Sequence, residues 1–269
     1  MNFLHLCQPD HSKSCGACCG IYNYADSTRE YLTRRLRHRT AAFHNIVQGR
    51  DDLSEYSRII RESEDQTRRY EVIYCCEFAG FLDPEEKLVG CLLHPCLNNG
   101  EDLRDISFYG HELCAGHFCP SYHYISRSEQ QALLNIFDDW YLYGLCLTDI
   151  DLVKAYFRLI SDAVGEMPDP AVFQMARPRQ AADNFFSVKL SWPFRSPAVN
   201  RFGKYYFDGS QYMICHIDYD ILGCERSMYD QIFLSLSSVF TGQADLRRAE
   251  AIITSHIEAF IRSYEKIRG

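Results

Sequence analysis

Gly90-Cys91-Leu92-Leu93-His94-Pro95-Cys96-Leu97-Asn98-Asn99-Gly100 is the stretch on which the reading of this chain turns. It sets two cysteines five positions apart among residues that favour turns over helix or strand. The same character runs from 72 to 124, through Gly80, Asp83-Pro84, Gly90, His94-Pro95, Asn98-Asn99-Gly100, Gly110, Gly116 and Pro120. About fifty residues dominated by turn chemistry are unusual inside a compact domain unless something other than helix and strand packing orders them. A metal held by cysteines is such a device, because its binding energy adds to folding energy.

The cysteines point the same way. Ten of the thirteen (7, 15, 18, 19, 75, 76, 91, 96, 114 and 119) precede residue 120. Cys15-Gly16-Ala17-Cys18 is a knuckle that lets two thiolates from one tight turn face one ion, and Cys19 follows at once. Cys91 with Cys96 and Cys114 with Cys119 each enclose four residues, a spacing found in zinc sites and plant-type ferredoxins. Cys119-Pro120 repeats the junction that ends bacterial ferredoxin motifs. The candidate metal ligands are Cys15, Cys18, Cys19, Cys76, Cys91, Cys96, Cys114 and Cys119. His94, His111, His117 and His123 share the region and would serve zinc in a mixed site, though such histidines more often sit beside ligands than among them.

Composition frames these motifs. Apolar residues make up 46% of the 269-residue chain and charged residues 24%, as in ordinary globular proteins. The net charge of -8 disfavours nucleic acid and anionic membranes as partners. The opening residues lack a secretion-type leader and no 18-residue apolar run occurs, so the expected location is cytoplasmic and no membrane is expected. In that compartment thiols stay reduced, which favours metal over a disulfide framework.

The expected fold class is α+β, mostly helical, with a small antiparallel sheet and an irregular Cys-rich metal-binding region. The expected division is 1–124 and 125–269, or one compact body. Ser27 with Glu30 and the spacing of Leu32, Leu36, Phe43 and Ile46 predict a helix over 27–48, with Arg34, Arg35, Arg37 and Arg39 on a solvated face. A polar helix follows over 52–71. Ser128 with Gln131 opens another helix, and Thr148 with Asp151 one that ends near Gly165. Phe185 to Trp192 reads as a strand, and 204–207 with 211–219 as a hairpin around Asp208-Gly209. Two helices close the chain, over 227–240 and 245–267.

Several of these elements resemble the YkgJ-type family of zinc- or iron-chelating, cysteine-cluster domains. They are Cys15-Gly16-x-Cys18-Cys19, Cys76-x-Phe78-x-x-Phe81-Leu82, Gly90-Cys91-Leu92-Leu93-His94-Pro95 and the pair Cys114 and Cys119, spanning residues 15 to 120. Ser12 stands where members carry a further cysteine, and Cys7 lies upstream of it. The resemblance implies a metal-chelating cysteine cluster, either a 4Fe-4S iron-sulfur cluster or Zn2+.

The expected function is thus a metal-binding protein holding an iron-sulfur cluster on N-terminal cysteines. The alternatives are a structural zinc protein, an iron-sulfur-dependent methylase or oxidoreductase acting on a protein or small substrate, and a metal-free thiol redox sensor. The dinucleotide fingerprint, phosphate-binding loop, nucleophile elbow and C-x3-C-x2-C string are absent. His111-Glu112 is not a zinc-protease motif, because Ala115 stands four residues after His111.

Overall fold

The computed structural model describes residues 5–196 and 203–268. The chain divides into two units. One comprises the residues up to Tyr122 together with Asp139–Gly144, and the other comprises His123–Asp138 and the chain from Leu145 onward. Most of the described residues are helical, and each unit carries one small antiparallel sheet. Among the described residues, no helix is long and apolar enough to cross a membrane.

The first unit is built on α1 (Arg29–Ile46) and α2 (Leu53–Ser63). The Thr28 hydroxyl accepts from the Tyr31 amide and so caps α1. Phe43 of α1 and Leu53, Tyr56 and Ile60 of α2 close over Phe78, Leu92, Leu93 and Leu103, forming a buried core that also takes in Cys76. Part of the turn-rich stretch is therefore ordered by its own apolar side chains. Between them lies a short hairpin, β1 (Ala79–Phe81) and β2 (Val89–Cys91), in the register Ala79 to Cys91, Gly80 to Gly90 and Phe81 to Val89. Strands of three residues are too short to leave a period in the sequence. Further on, α3 (Gly110–Gly116) buries none of its residues, and Phe108, Leu113 and Phe118 lie exposed around it.

Two expectations for this unit require correction. The second helix stops at Ser63 rather than 71, because Asp65 turns its carboxylate onto the Thr67 amide and hydroxyl, a local bond that competes with helix. The arginines of α1 do not share one solvated face. Arg35 and Arg39 are buried, both bonded to Glu64.

In the second unit, α4 (Ser121–Tyr124) straddles the boundary and α5 (Arg127–Ile136) begins with a reciprocal capping box of Ser126 and Glu129. Helix α6 (Trp140–Leu147) also straddles the division, and α7 (Ile150–Val164) starts on Asp149 and ends on left-handed Gly165. Next come α8 (Ala176–Ser191), the hairpin β3 (Tyr205–Asp208) with β4 (Gln211–Ile214), the short α9 (Tyr219–Leu222) and α10 (Asp230–Ser235), and the long α11 (Gln243–Arg268). Tyr156 sits at the centre of this core, against Phe185, Phe186 and Phe260.

The expected strand at 185–192 is the end of α8. Its apolar alternation covers few residues, whereas Pro178, Ala181, Ala182, Phe185, Phe186 and Lys189 recur at helical spacing on the buried face. Lys189 is fully buried and donates to Asp149 at 2.6 Å, and the Ser235 hydroxyl donates to the second Asp149 oxygen at 2.9 Å. The expected 227–240 helix is reduced to one and a half turns, because Ser237 takes a positive φ just past its end.

Candidate metal centre

The knuckle folds as a 3-10 turn, Ala17–Cys19, between Gly16 and Gly20. Gly20 has φ +73°, and a β-carbon there would lie 2.1 Å from the carbonyl oxygen of Tyr74. Only glycine allows the knuckle to approach the 74–76 backbone this closely. Four bonds hold the contact. The Cys76 amide donates to the Cys19 carbonyl at 2.9 Å, the Cys75 thiol donates to the Gly20 carbonyl at 3.2 Å, and Asn23 Nδ2 donates to the carbonyls of Tyr70 and Ile73.

Around this junction the thiols fall into two neighbourhoods. Cys19 and Cys91 pack at the margin of the core that contains Cys76, and β2 ends at Cys91. Cys114 is held near by Ser107, whose hydroxyl lies 3.1 Å from its sulfur, and by Arg104, which donates to its carbonyl. In the other neighbourhood, the Cys15 amide donates to the Cys7 carbonyl at 2.8 Å. The Tyr122 hydroxyl lies 3.2 Å from the Cys7 amide and 3.5 Å from its sulfur, while the Tyr122 amide donates to the Cys119 carbonyl.

The electrostatics couple the thiols mainly within each neighbourhood, and also across the two through Cys18 with Cys114 and Cys18 with Cys19. Burial is the largest cause raising the Cys15 thiol, with Cys7, Cys18 and Cys119 adding to it. Burial, then Cys119, Cys7 and Cys114, push Cys18 up to about 12. Cys19 is raised by burial and then by Cys76, Cys91, Cys18 and Cys114. Cys91 is pushed up to about 11 by burial, with Cys114 adding and Arg104 opposing. A thiolate in this setting is desolvated and faces other thiolates, so these groups are neutral near pH 7 unless a cation offsets both costs.

Seven of the eight residues singled out in the sequence thus lie in these neighbourhoods. Cys96 does not. It is exposed on the 3-10 turn Pro95–Leu97, with its amide bonded to His94 Nδ1, and none of the couplings above involves it. Cys7, which the spacing rules passed over, joins in its place. His111 turns to Asp102, which also holds Arg104. Among the described residues, no group of three or more His, Cys, Asp or Glu side chains is arranged as it stands to hold a metal ion.

A buried polar network backs the Cys76 segment. Arg39 Nη1 donates to the Cys76 carbonyl at 2.8 Å and Nη2 donates to the Tyr24 hydroxyl at 2.6 Å, while Glu64 pairs with both Arg39 and Arg35. Glu77 accepts from Ser57 and Arg61 at 2.6 Å each and from Tyr74. Burial alone would raise the Glu77 carboxyl, but the Ser57 and Tyr74 hydroxyls and the Arg61 charge outweigh it and hold it below its ordinary value. Neither role leaves a signal in the sequence beyond the residue types.

Comparison of the chain with known protein families, with curated proteins and with solved structures finds no match.

Proposed function

We propose that this chain is a metal-binding protein whose N-terminal cysteines hold an iron-sulfur cluster. The observation that carries the reading is the assembly in one unit of eight thiols, drawn from positions 7 to 119 and tied together by main-chain and side-chain hydrogen bonds, among which burial and neighbouring sulfurs raise Cys7, Cys15, Cys18, Cys19, Cys76 and Cys91. Such a donor set suits soft, thiolate-ligated metals. The spacing favours iron-sulfur over zinc, because the sequence holds one C-x2-C knuckle and not the pair common in zinc sites. When bound, the cluster would supply one-electron chemistry at a potential set by its hydrogen bonds and exposure. Its ligands would be drawn from Cys7, Cys15, Cys18, Cys19, Cys76, Cys91, Cys114 and Cys119. The sequence resemblance to cysteine-cluster chelating domains supports the same reading, and the charge of -8 weighs against nucleic acid as the partner.

The test is elemental analysis, acid-labile sulfide and an ultraviolet-visible spectrum on protein purified without oxygen. Brown protein with matched iron and sulfide is expected. Colourless protein retaining zinc would replace the cluster by a structural site, and folded protein that binds neither metal would refute both.

A further inference from the structure

We infer that the eight thiols form two separate four-cysteine centres, one of Cys7, Cys15, Cys18 and Cys119 and the other of Cys19, Cys76, Cys91 and Cys114. This rests on the metal-binding reading above and says how that metal is partitioned.

The division begins in the knuckle. A 3-10 turn has three residues per turn, so side chains three positions apart align while adjacent ones splay by about 120°. Cys18 and Cys19 both lie in such a turn. Cys18 and Cys19 therefore point apart, while Cys15 precedes the turn as the first cysteine of the knuckle. The surroundings agree, since Cys18 is exposed whereas Cys19 packs against the core that holds Cys76. The backbone then completes each set separately. On one side, Cys7 is bonded through its carbonyl to Cys15, and Tyr122 ties the Cys119 turn to Cys7. On the other, the Cys19 carbonyl holds the Cys76 amide, β1 leads from Cys76 into pairing with Cys91, and Arg104, next to Leu103 of the same core, donates to the carbonyl of Cys114.

Each set contains four thiols, the complement that one 4Fe-4S cluster or one tetrahedral zinc ion requires. The two sets share the 18–19 peptide, so two centres would lie close together. The vicinal pair that a single mononuclear site would accommodate poorly becomes the divider between two sites.

The test uses the full chain, reconstituted without oxygen with iron and sulfide, and separately with zinc alone. Cys7→Ser/Cys119→Ser and Cys76→Ser/Cys91→Ser should each halve the bound metal, and the two pairs combined should abolish it. Far-ultraviolet circular dichroism checks that each variant is folded. Loss of all metal in either folded double variant would overturn the inference in favour of one shared centre, as would full retention in either. Where a variant fails to fold, the unmodified chain decides. After reduction, two clusters close together give two spins per chain with mutual broadening in electron paramagnetic resonance, whereas one unbroadened spin per chain overturns the inference. In the zinc arm, two ions per chain support it and one overturns it. Absence of any metal in the unmodified chain would instead refute the underlying metal-binding reading.

Discussion

Arg39 donates its guanidinium Nη1 to the main-chain carbonyl of Cys76 at 2.8 Å while lying 1% exposed in the middle of α1. A charge that deep requires partners, and Glu64 and Tyr24 supply them. The segment that presents Cys76 is thus fixed from beneath by a side chain whose own position is fixed by a salt bridge.

Removing Arg39 should be costly. Arg39→Ala leaves the buried Glu64 carboxylate with Arg35 and the exposed His38, and breaking such a pair typically costs about 3–5 kcal/mol. Arg39→Lys should recover little of this, since an ammonium cannot reproduce the fork that reaches Glu64, Tyr24 and Cys76 together. Urea denaturation of the two variants checks both statements.

At Gly20 and Gly100 the backbone makes similar demands with different consequences. Both have positive φ, but a β-carbon at Gly100 meets nothing within 4 Å, whereas one at Gly20 strikes the Tyr74 carbonyl. Gly100→Ala should cost only the left-handed penalty, about 1–2 kcal/mol. Gly20→Ala should cost clearly more and lower metal retention, because the knuckle can no longer rest on the 74–76 backbone. Equal losses of stability would count against the close approach.

Glu77 gives the fold an acid-sensitive element. Its carboxyl is held below the ordinary value of 4.5, so the unfolded chain binds a proton more readily than the folded one. The associated stability is fully present above pH 4.5 and is lost as pH falls through the lower folded value. Glu77→Gln should be less stable than the parent at pH 7, and the gap should narrow toward pH 3. A urea midpoint recorded across that range is the measurement.

Metal content should separate Cys7 from Cys96. Cys7→Ser is expected to lower it and Cys96→Ser to leave it unchanged, although the C-x4-C spacing would rank them the other way. Metal analysis of the two purified variants decides the matter.

Much of the helical framework was legible beforehand. The helix ending at Gly165, the hairpin around Asp208-Gly209 and the closing helix α11 follow from caps, turn chemistry and period, which act locally. What stayed hidden depends on distant partners. Arg39 looks like a solvated residue until Glu64 and the Cys76 carbonyl are brought to it across 25 and 37 positions. Phe185 to Trp192 reads as a strand until the helical face begun at Pro178 is seen to run into it. Cys7 has no spacing rule to mark it, because its partner in the fold is Tyr122, which lies 115 residues away.

The neutral state of the raised thiols has one more consequence, for their reactivity. Alkylating agents and peroxides react with thiolates, so Cys18, held near 12, should be a slow target even though part of it faces solvent. A brief exposure to iodoacetamide should therefore spare the knuckle. The same feature would protect these thiols from oxidative damage.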